Sequence, residues 1–94
     1  MTGQAQPTVL IDNERVRVTE WRFAPGAATG WHRHDHDSVV VPMTTGRLQL
    51  VDASGETRVA ELATGKPYYR DAGVGHDVIN PGEFEFVFIE VETK

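Results

Sequence analysis

The segment Pro25-Gly26-Ala27-Ala28-Thr29-Gly30-Trp31-His32-Arg33-His34-Asp35-His36-Asp37 carries three of the four histidines in the chain, and the fourth, His76, lies 40 residues beyond His36. In an extended strand, side chains two apart leave from the same face with Cα atoms about 6.5–7 Å apart. His32 and His34 can therefore bring both imidazoles to one ion at bond lengths of about 2.1 Å. A third ligand from a neighbouring strand would complete a facial set and leave positions for water, substrate or dioxygen. Taken alone, a His-x-His pair reads equally well as a solvated loop rich in His and Asp, so the surrounding sequence has to decide.

Moving outward, the composition favours strands. Valine occurs 12 times, threonine 9 and isoleucine 3, against 4 leucines, and β-branched residues suit a pleated surface better than a helix. Short apolar or alternating runs recur at Val9–Ile11, Val16–Phe23, Trp31–His34, Val39–Met43, Leu48–Val51, Arg58–Leu62, Pro67–Arg70, His76–Ile79 and Phe84–Val91. Between them stand turn pairs such as Asp12-Asn13, Pro25-Gly26, Ser54-Gly55, Ala72-Gly73 and Pro81-Gly82, at the spacing of all-β sandwiches and barrels. The stretch Thr57–Ala63 is the best candidate for a helix, but its length and flanking glycines favour a strand. The run from Phe84 to Val91 is apolar on both parities, which predicts a strand covered on both faces, with Phe84, Phe86 and Phe88 in the core. Its second face would meet another sheet or a partner subunit.

With 94 residues the chain has room for one domain, and its core is thin for want of volume. The absence of cysteine excludes disulfides, iron–sulfur clusters and thiolate zinc sites, so a metal must be held by His, Asp or Glu. Fourteen acidic residues against nine basic ones, net −5, argue against nucleic acid as a partner. No apolar stretch is long enough to cross a bilayer, and the N-terminus lacks a basic and an apolar signal region, so no membrane association and a cytoplasmic location are expected.

The spacing around the histidines completes the reading. Gly26, five residues, His32, one residue, His34 and later Gly46 form one motif; Gly65, seven residues, Gly73, two residues, His76, three residues and Asn80 form another. Together they resemble the two motifs of the cupin superfamily, over about Val16 to Val91. Their wording is similar to that of small single-domain cupins of the beta-alanine degradation protein kind. The resemblance implies an all-β fold, a small cupin-type β-barrel or jelly roll, with residues 9–94 as one cupin domain behind a loose N-terminal segment, 1–8. It also places the family's metal ligands on His32, His34 and His76. The family's fourth ligand, a Glu, falls on Val39 or, shifted by one, on Ser38, and neither replaces it. Asp37 or His36, just beyond His34, is an alternative fourth donor; both also read as solvated loop residues. Asp71 stands where the family has proline. Gly73 and Asn80 read as structural, a positive-φ turn and a side chain bonding the backbone.

Three neutral imidazoles leave a divalent ion its whole charge and favour an anionic substrate. The expected cofactor is a divalent transition metal, Fe²⁺ first, with Mn²⁺, Ni²⁺ or Zn²⁺ also suited to imidazole. Because ligating imidazoles must be neutral, metal release is expected as pH falls through roughly 5 to 6. In Pro67-Tyr68-Tyr69-Arg70, one tyrosine must face inward, and Tyr68 and Arg70 are the candidate catalytic residues, suited to a substrate carboxylate. Trp21 and Trp31 read as packing residues. The expected function is that of a metal-dependent, dioxygenase-like enzyme on a small carboxylate-bearing metabolite. The alternative is a non-catalytic metal-binding or small-ligand-binding module or sensor. A homodimer is the expected assembly.

Overall fold

The computed structural model describes residues 3–94, and every regular element among them is a strand. These are β1 (Gln6–Asp12), β2 (Val16–Phe23), β3 (His32–Arg33), β4 (Ser38–Pro42), β5 (Gly46–Val51), β6 (Thr57–Leu62), β7 (Tyr68–Arg70), β8 (Gly75–Ile79) and β9 (Phe86–Thr93). Each arises from one of the runs read in the sequence, including the stretch that competed for a helix, which is β6. Side-chain acceptors close the tight connections. Asn13 Oδ1 accepts from the Arg15 and Val16 amides at 2.8 and 3.0 Å between β1 and β2, and Asp52 Oδ1 accepts from Ser54 and Glu56 between β5 and β6.

The strands form two antiparallel sheets, ordered β1-β2-β9-β4-β7 and β3-β8-β5-β6. They face each other as a jelly roll, and no strand pairing closes them into a continuous barrel among the described residues. β9 lies in the middle of the larger sheet, in register with β2 on one side and β4 on the other. Period two then sorts its side chains: Phe86, Phe88 and Glu90 point inward and are buried, whereas Val87, Ile89 and Val91 point outward and are half-buried. Phe23, Val40, Leu48, Val78, Phe86 and Phe88 fill the space between the sheets, with Phe23 and Phe88 at a ring separation of 5.6 Å. The site residues occupy one end of this interior.

Two expectations need correction. Residues 3–8 are not a loose lead-in: Gln4 bridges Ala28, the Ala5 amide donates to the Ala28 carbonyl at 2.9 Å, Ala5 is buried, and β1 has begun by Gln6. A small side chain that fits under a neighbouring loop orders a segment whose composition looks unstructured. Residues 1 and 2 lie outside the described residues. Phe84 is no core residue either; it precedes β9 and is 81% exposed, because the turn at Pro81-Gly82 carries it past the sheet edge.

Asn80 ties the far end together. Its Nδ2 donates to the carbonyls of Phe23 and Phe84 at 3.1 and 2.8 Å, and its Oδ1 accepts from the Gly82 amide at 3.0 Å. Replacing it by alanine strands buried carbonyls, so Asn80→Ala should lower unfolding free energy by about 2–3 kcal/mol in a urea titration. A loss below about half a kcal/mol would show that water replaces these bonds without cost.

Candidate metal centre

His32 on β3 and His76 on β8 are register partners, facing each other across two antiparallel strands. His34 follows immediately after β3. Its amide donates to the Val74 carbonyl at 2.9 Å and its carbonyl accepts from the Gly73 amide at 2.7 Å, so the strand direction continues through it. Gly73 makes this clamp possible by adopting φ 90°, where a side chain would be strained. All three imidazoles consequently enter the same interior space.

They meet through their Nε2 atoms, His32 to His34 at 3.1 Å and His34 to His76 at 3.0 Å, with the three rings tilted 71–87° to one another. Two donors bound to one ion at right angles, each at about 2.1 Å, stand about 3.0 Å apart. Two of the three pairs therefore have the spacing of adjacent donors on one ion, all three donor atoms lie within 4.8 Å of one another, and His32, His34 and His76 can hold a metal ion together.

The outer nitrogens show that lone pairs face the centre. The Gly30 carbonyl, which can only accept, lies 3.1 Å from His32 Nδ1, so that nitrogen carries the proton. Glu90 Oε2 lies 3.5 Å from His34 Nδ1 and biases that ring to the same tautomer. Burial holds the imidazoles of His34 and His76 neutral. It lowers the pKa of His34 to about 4 and that of His76 to about 3, and the positive charge of Arg70 adds to the effect on both. Proton competition at these two ligands thus begins well below the pH 5–6 expected from an exposed histidine.

Arg70 and Tyr68 both join the site, since on β7 they point inward while Tyr69 points out. Arg70, 8% exposed, places Nη1 2.9 Å from His34 Nε2 and 3.3 Å from Glu90 Oε2, and its Nη2 donates to the Tyr68 hydroxyl at 3.0 Å. Trp21 Nε1 donates to the other Glu90 oxygen at 3.3 Å. Burial, then the charge of Glu92, pushes the Glu90 carboxyl up, against the pull of Arg70.

Glu90 is the functional residue that the sequence reading missed. Its signal was present: it shares a parity with Phe86 and Phe88, which makes it a carboxylate on a core face. The proposed fourth donors do not reach the centre. Asp37 accepts from the Ala72 amide at 2.8 Å and from the Tyr69 hydroxyl, bonds that lower its pKa, and neither it nor His36 is grouped with the three ligands. Of the two positions aligned with the family's Glu, Val39 faces outward, and Ser38 faces inward with a buried Oγ that has no partner. Parity rather than gap count identifies Ser38 as the inward site, and its hydroxyl adds no charge.

His76→Ala should abolish stoichiometric metal binding by elemental analysis, and His36→Ala should leave it intact; equal metal content in wild type and His76→Ala would overturn the assignment. Stability should also follow pH. Unfolded His34 and His76 take up protons near 6.5, whereas the folded ones resist until about 4 and 3. The unfolded state therefore binds more protons between those limits, and the metal-free protein loses up to about 1.4 kcal/mol per histidine per pH unit as pH falls from 6.5 towards 4. Glu90, whose pKa burial raises, works in the opposite sense. Urea titrations at pH 7, 6 and 5 check the slope, which His76→Gln should reduce.

Comparison with known proteins agrees with this geometry. A family model described as "Cupin domain" matches residues 19–92. The chain is 58% identical over 91 residues to the Beta-alanine degradation protein BauB of Pseudomonas aeruginosa, spanning 97% of this chain and 95% of that one. The crystal structure of a cupin domain from Bordetella pertussis superposes with a TM-score of 0.96 at 57% identity, covering 100% of this chain and 97% of that one. A double-stranded beta-helix domain protein from Klebsiella pneumoniae shares the fold at a TM-score of 0.79 and 21% identity, over 97% of this chain and 77% of that one. The chain belongs to the cupin family.

Proposed function

We infer that this cupin is a metal-dependent enzyme that acts on a small carboxylate-bearing metabolite by dioxygenase-type chemistry. The observation that carries the reading is the cluster of three imidazoles beside a buried arginine, with His76 and Arg70 together lining one opening. A cavity of about 260 Å³ runs from His76 past Tyr68 and Arg70 to Arg58, with Leu50 and Val74 among its walls. It has room for a compact metabolite, and its two guanidinium groups, set against the one carboxylate of Asp71 in the lining, suit an anion. The name of the Pseudomonas relative points to the same class, because beta-alanine is a short chain ending in a carboxylate.

A divalent metal, with Fe²⁺ the favoured ion, supplies Lewis acidity and a place for dioxygen and substrate to meet. The remaining roles belong to the chain. His34 Nε2 accepts from Arg70 Nη1 at 2.9 Å; were that nitrogen to hold a metal, this N–H of Arg70 would be free to bind a substrate carboxylate. Glu90 accepts from the same Nη1 at 3.3 Å, and Tyr68 takes the other side of the guanidinium through Nη2. Tyr68, held by Arg70 Nη2, presents its hydroxyl where it can accept or return a proton. Leu50 and Val74 give the cavity apolar walls beside His76.

Anaerobic loading with Fe²⁺, followed by oxygen-uptake measurements against short amino acids, thiols and other carboxylates, tests the proposal. Turnover is expected with a carboxylate substrate, and Arg58→Ala should raise KM about tenfold with less change in kcat. No turnover with any metal, together with a large metal-dependent rise in Tm, would favour a non-catalytic binding module instead.

A further inference from the structure

β6 and β7 follow each other in the chain but belong to different sheets: β6 is an edge of the four-stranded sheet and β7 an edge of the five-stranded one. No ladder joins the two among the described residues, so the jelly roll is open along this seam. Strand parity sets its walls. Ladder partners project from the same face, and Arg58, Ala60 and Leu62 stand opposite Leu50, Leu48 and Gly46. Leu48 is a core residue, so all three project from the interior face of their sheet. Tyr68 meets them from β7, as the ladder partner of the buried Val40. Glu61 takes the outward face, where it pairs with Arg47 at 3.7 Å.

The seam holds a groove of about 490 Å³, with Leu50, Ala60, Leu62 and the Tyr68 ring as its apolar walls. From Arg58 to Leu62 it follows β6 for about 13 Å. The groove is continuous with the cavity beside the metal centre, because Leu50, Arg58 and Tyr68 line both. Charge is shared out unevenly along this path. Arg58 and Arg70 stand at the end near His76, and the interior-facing residues that follow Arg58 on β6, Ala60 and Leu62, carry none. Leu50, Leu62 and Tyr68 pack against the core and remain half-buried, which leaves each of them a side turned to the groove.

We propose that the substrate is an amphipathic carboxylic acid, its carboxylate held by Arg58 and Arg70 beside His76 and its hydrocarbon chain laid along the seam between β6 and β7. This rests on the carboxylate reading above and deepens it by specifying the rest of the molecule. Continuity selects the occupant. A strand of another protein would pair with the free backbone edge of β6 and leave the end at His76 unfilled, whereas one molecule with an anionic head and an apolar tail satisfies both compartments at once.

Isothermal titration of the protein, as isolated and after loading with Zn²⁺, with butyrate, hexanoate and octanoate tests the proposal without requiring turnover. Full burial of a methylene tightens binding about fourfold, and half-burial in an open groove about twofold, so octanoate should bind about 15-fold more tightly than butyrate. Ala60→Phe, which fills the groove from an edge strand, and Leu62→Gln, which makes its wall polar, should each cut that ratio below about threefold with an unchanged circular dichroism spectrum. Beta-alanine carries an ammonium where butyrate has its methyl group, and should bind less tightly than octanoate. Equal affinity for butyrate and octanoate overturns this proposal alone and leaves the carboxylate reading standing, whereas no binding of any acid overturns both. A length dependence that survives both substitutions places the hydrocarbon elsewhere and overturns the proposal, as does beta-alanine binding more tightly than octanoate.

Discussion

Two imidazole lone pairs 3.1 Å apart repel each other unless positive charge lies between them. The protein nevertheless builds this contact by turning the protonated nitrogens of His32 and His34 outward to the Gly30 carbonyl and the Glu90 carboxylate, and it sets the Nε2 of His76 3.0 Å from that of His34. Much of the rest can be seen as the scaffold that sustains it. The core of phenylalanines and valines closes one end of the interior, Asn80 pins the loops at that end, and the site is left at the other. Burial removes the easy remedy of protonating His34 or His76, so the arrangement stores a demand for a cation.

Arg70 answers part of that demand, with Nη1 donating into the His34 lone pair, and Glu90 answers Arg70. This chain of contacts also joins the two sheets, because Arg70 and Glu90 belong to β7 and β9, whereas His32 and His76 belong to β3 and β8. A buried ion pair of this sort contributes little net stability when complete but costs about 3–5 kcal/mol when one partner is removed. Glu90 thus places a carboxyl group one remove from the centre, against the outer nitrogen of His34 and the guanidinium of Arg70. The ion held by the imidazoles would keep its full charge, since the charge of Glu90 is directed to Arg70.

Much of this was legible in the residues. Valine-rich runs and regularly spaced turn pairs marked every strand, and the spacing of His32, His34 and His76 marked the cluster. What escaped depended on contacts between distant segments. The parity of β9 placed Glu90 on the core face, yet a single Glu in a strongly apolar run invites an outward reading. Ala5 gives no sign in sequence that a loop will cover it. The choice between Ser38 and Val39 is a matter of strand phase, and a gap count cannot fix phase to one residue. Phe84 shows the reverse error: an aromatic residue continues a hydrophobic pattern beyond the point where the strand has ended.

The pairing of His32 with His76 makes backbone register and ligand geometry the same quantity. A slip of one residue between β3 and β8 would rotate one imidazole out of the interior altogether, so intermediate, slightly misplaced versions of the centre are not available to the fold. The short β3 therefore acts as a ruler graduated in whole residues. Errors in this site are all-or-none, and sequence drift around it can alter the walls of the pocket freely without ever detuning the spacing of those two nitrogens by degrees.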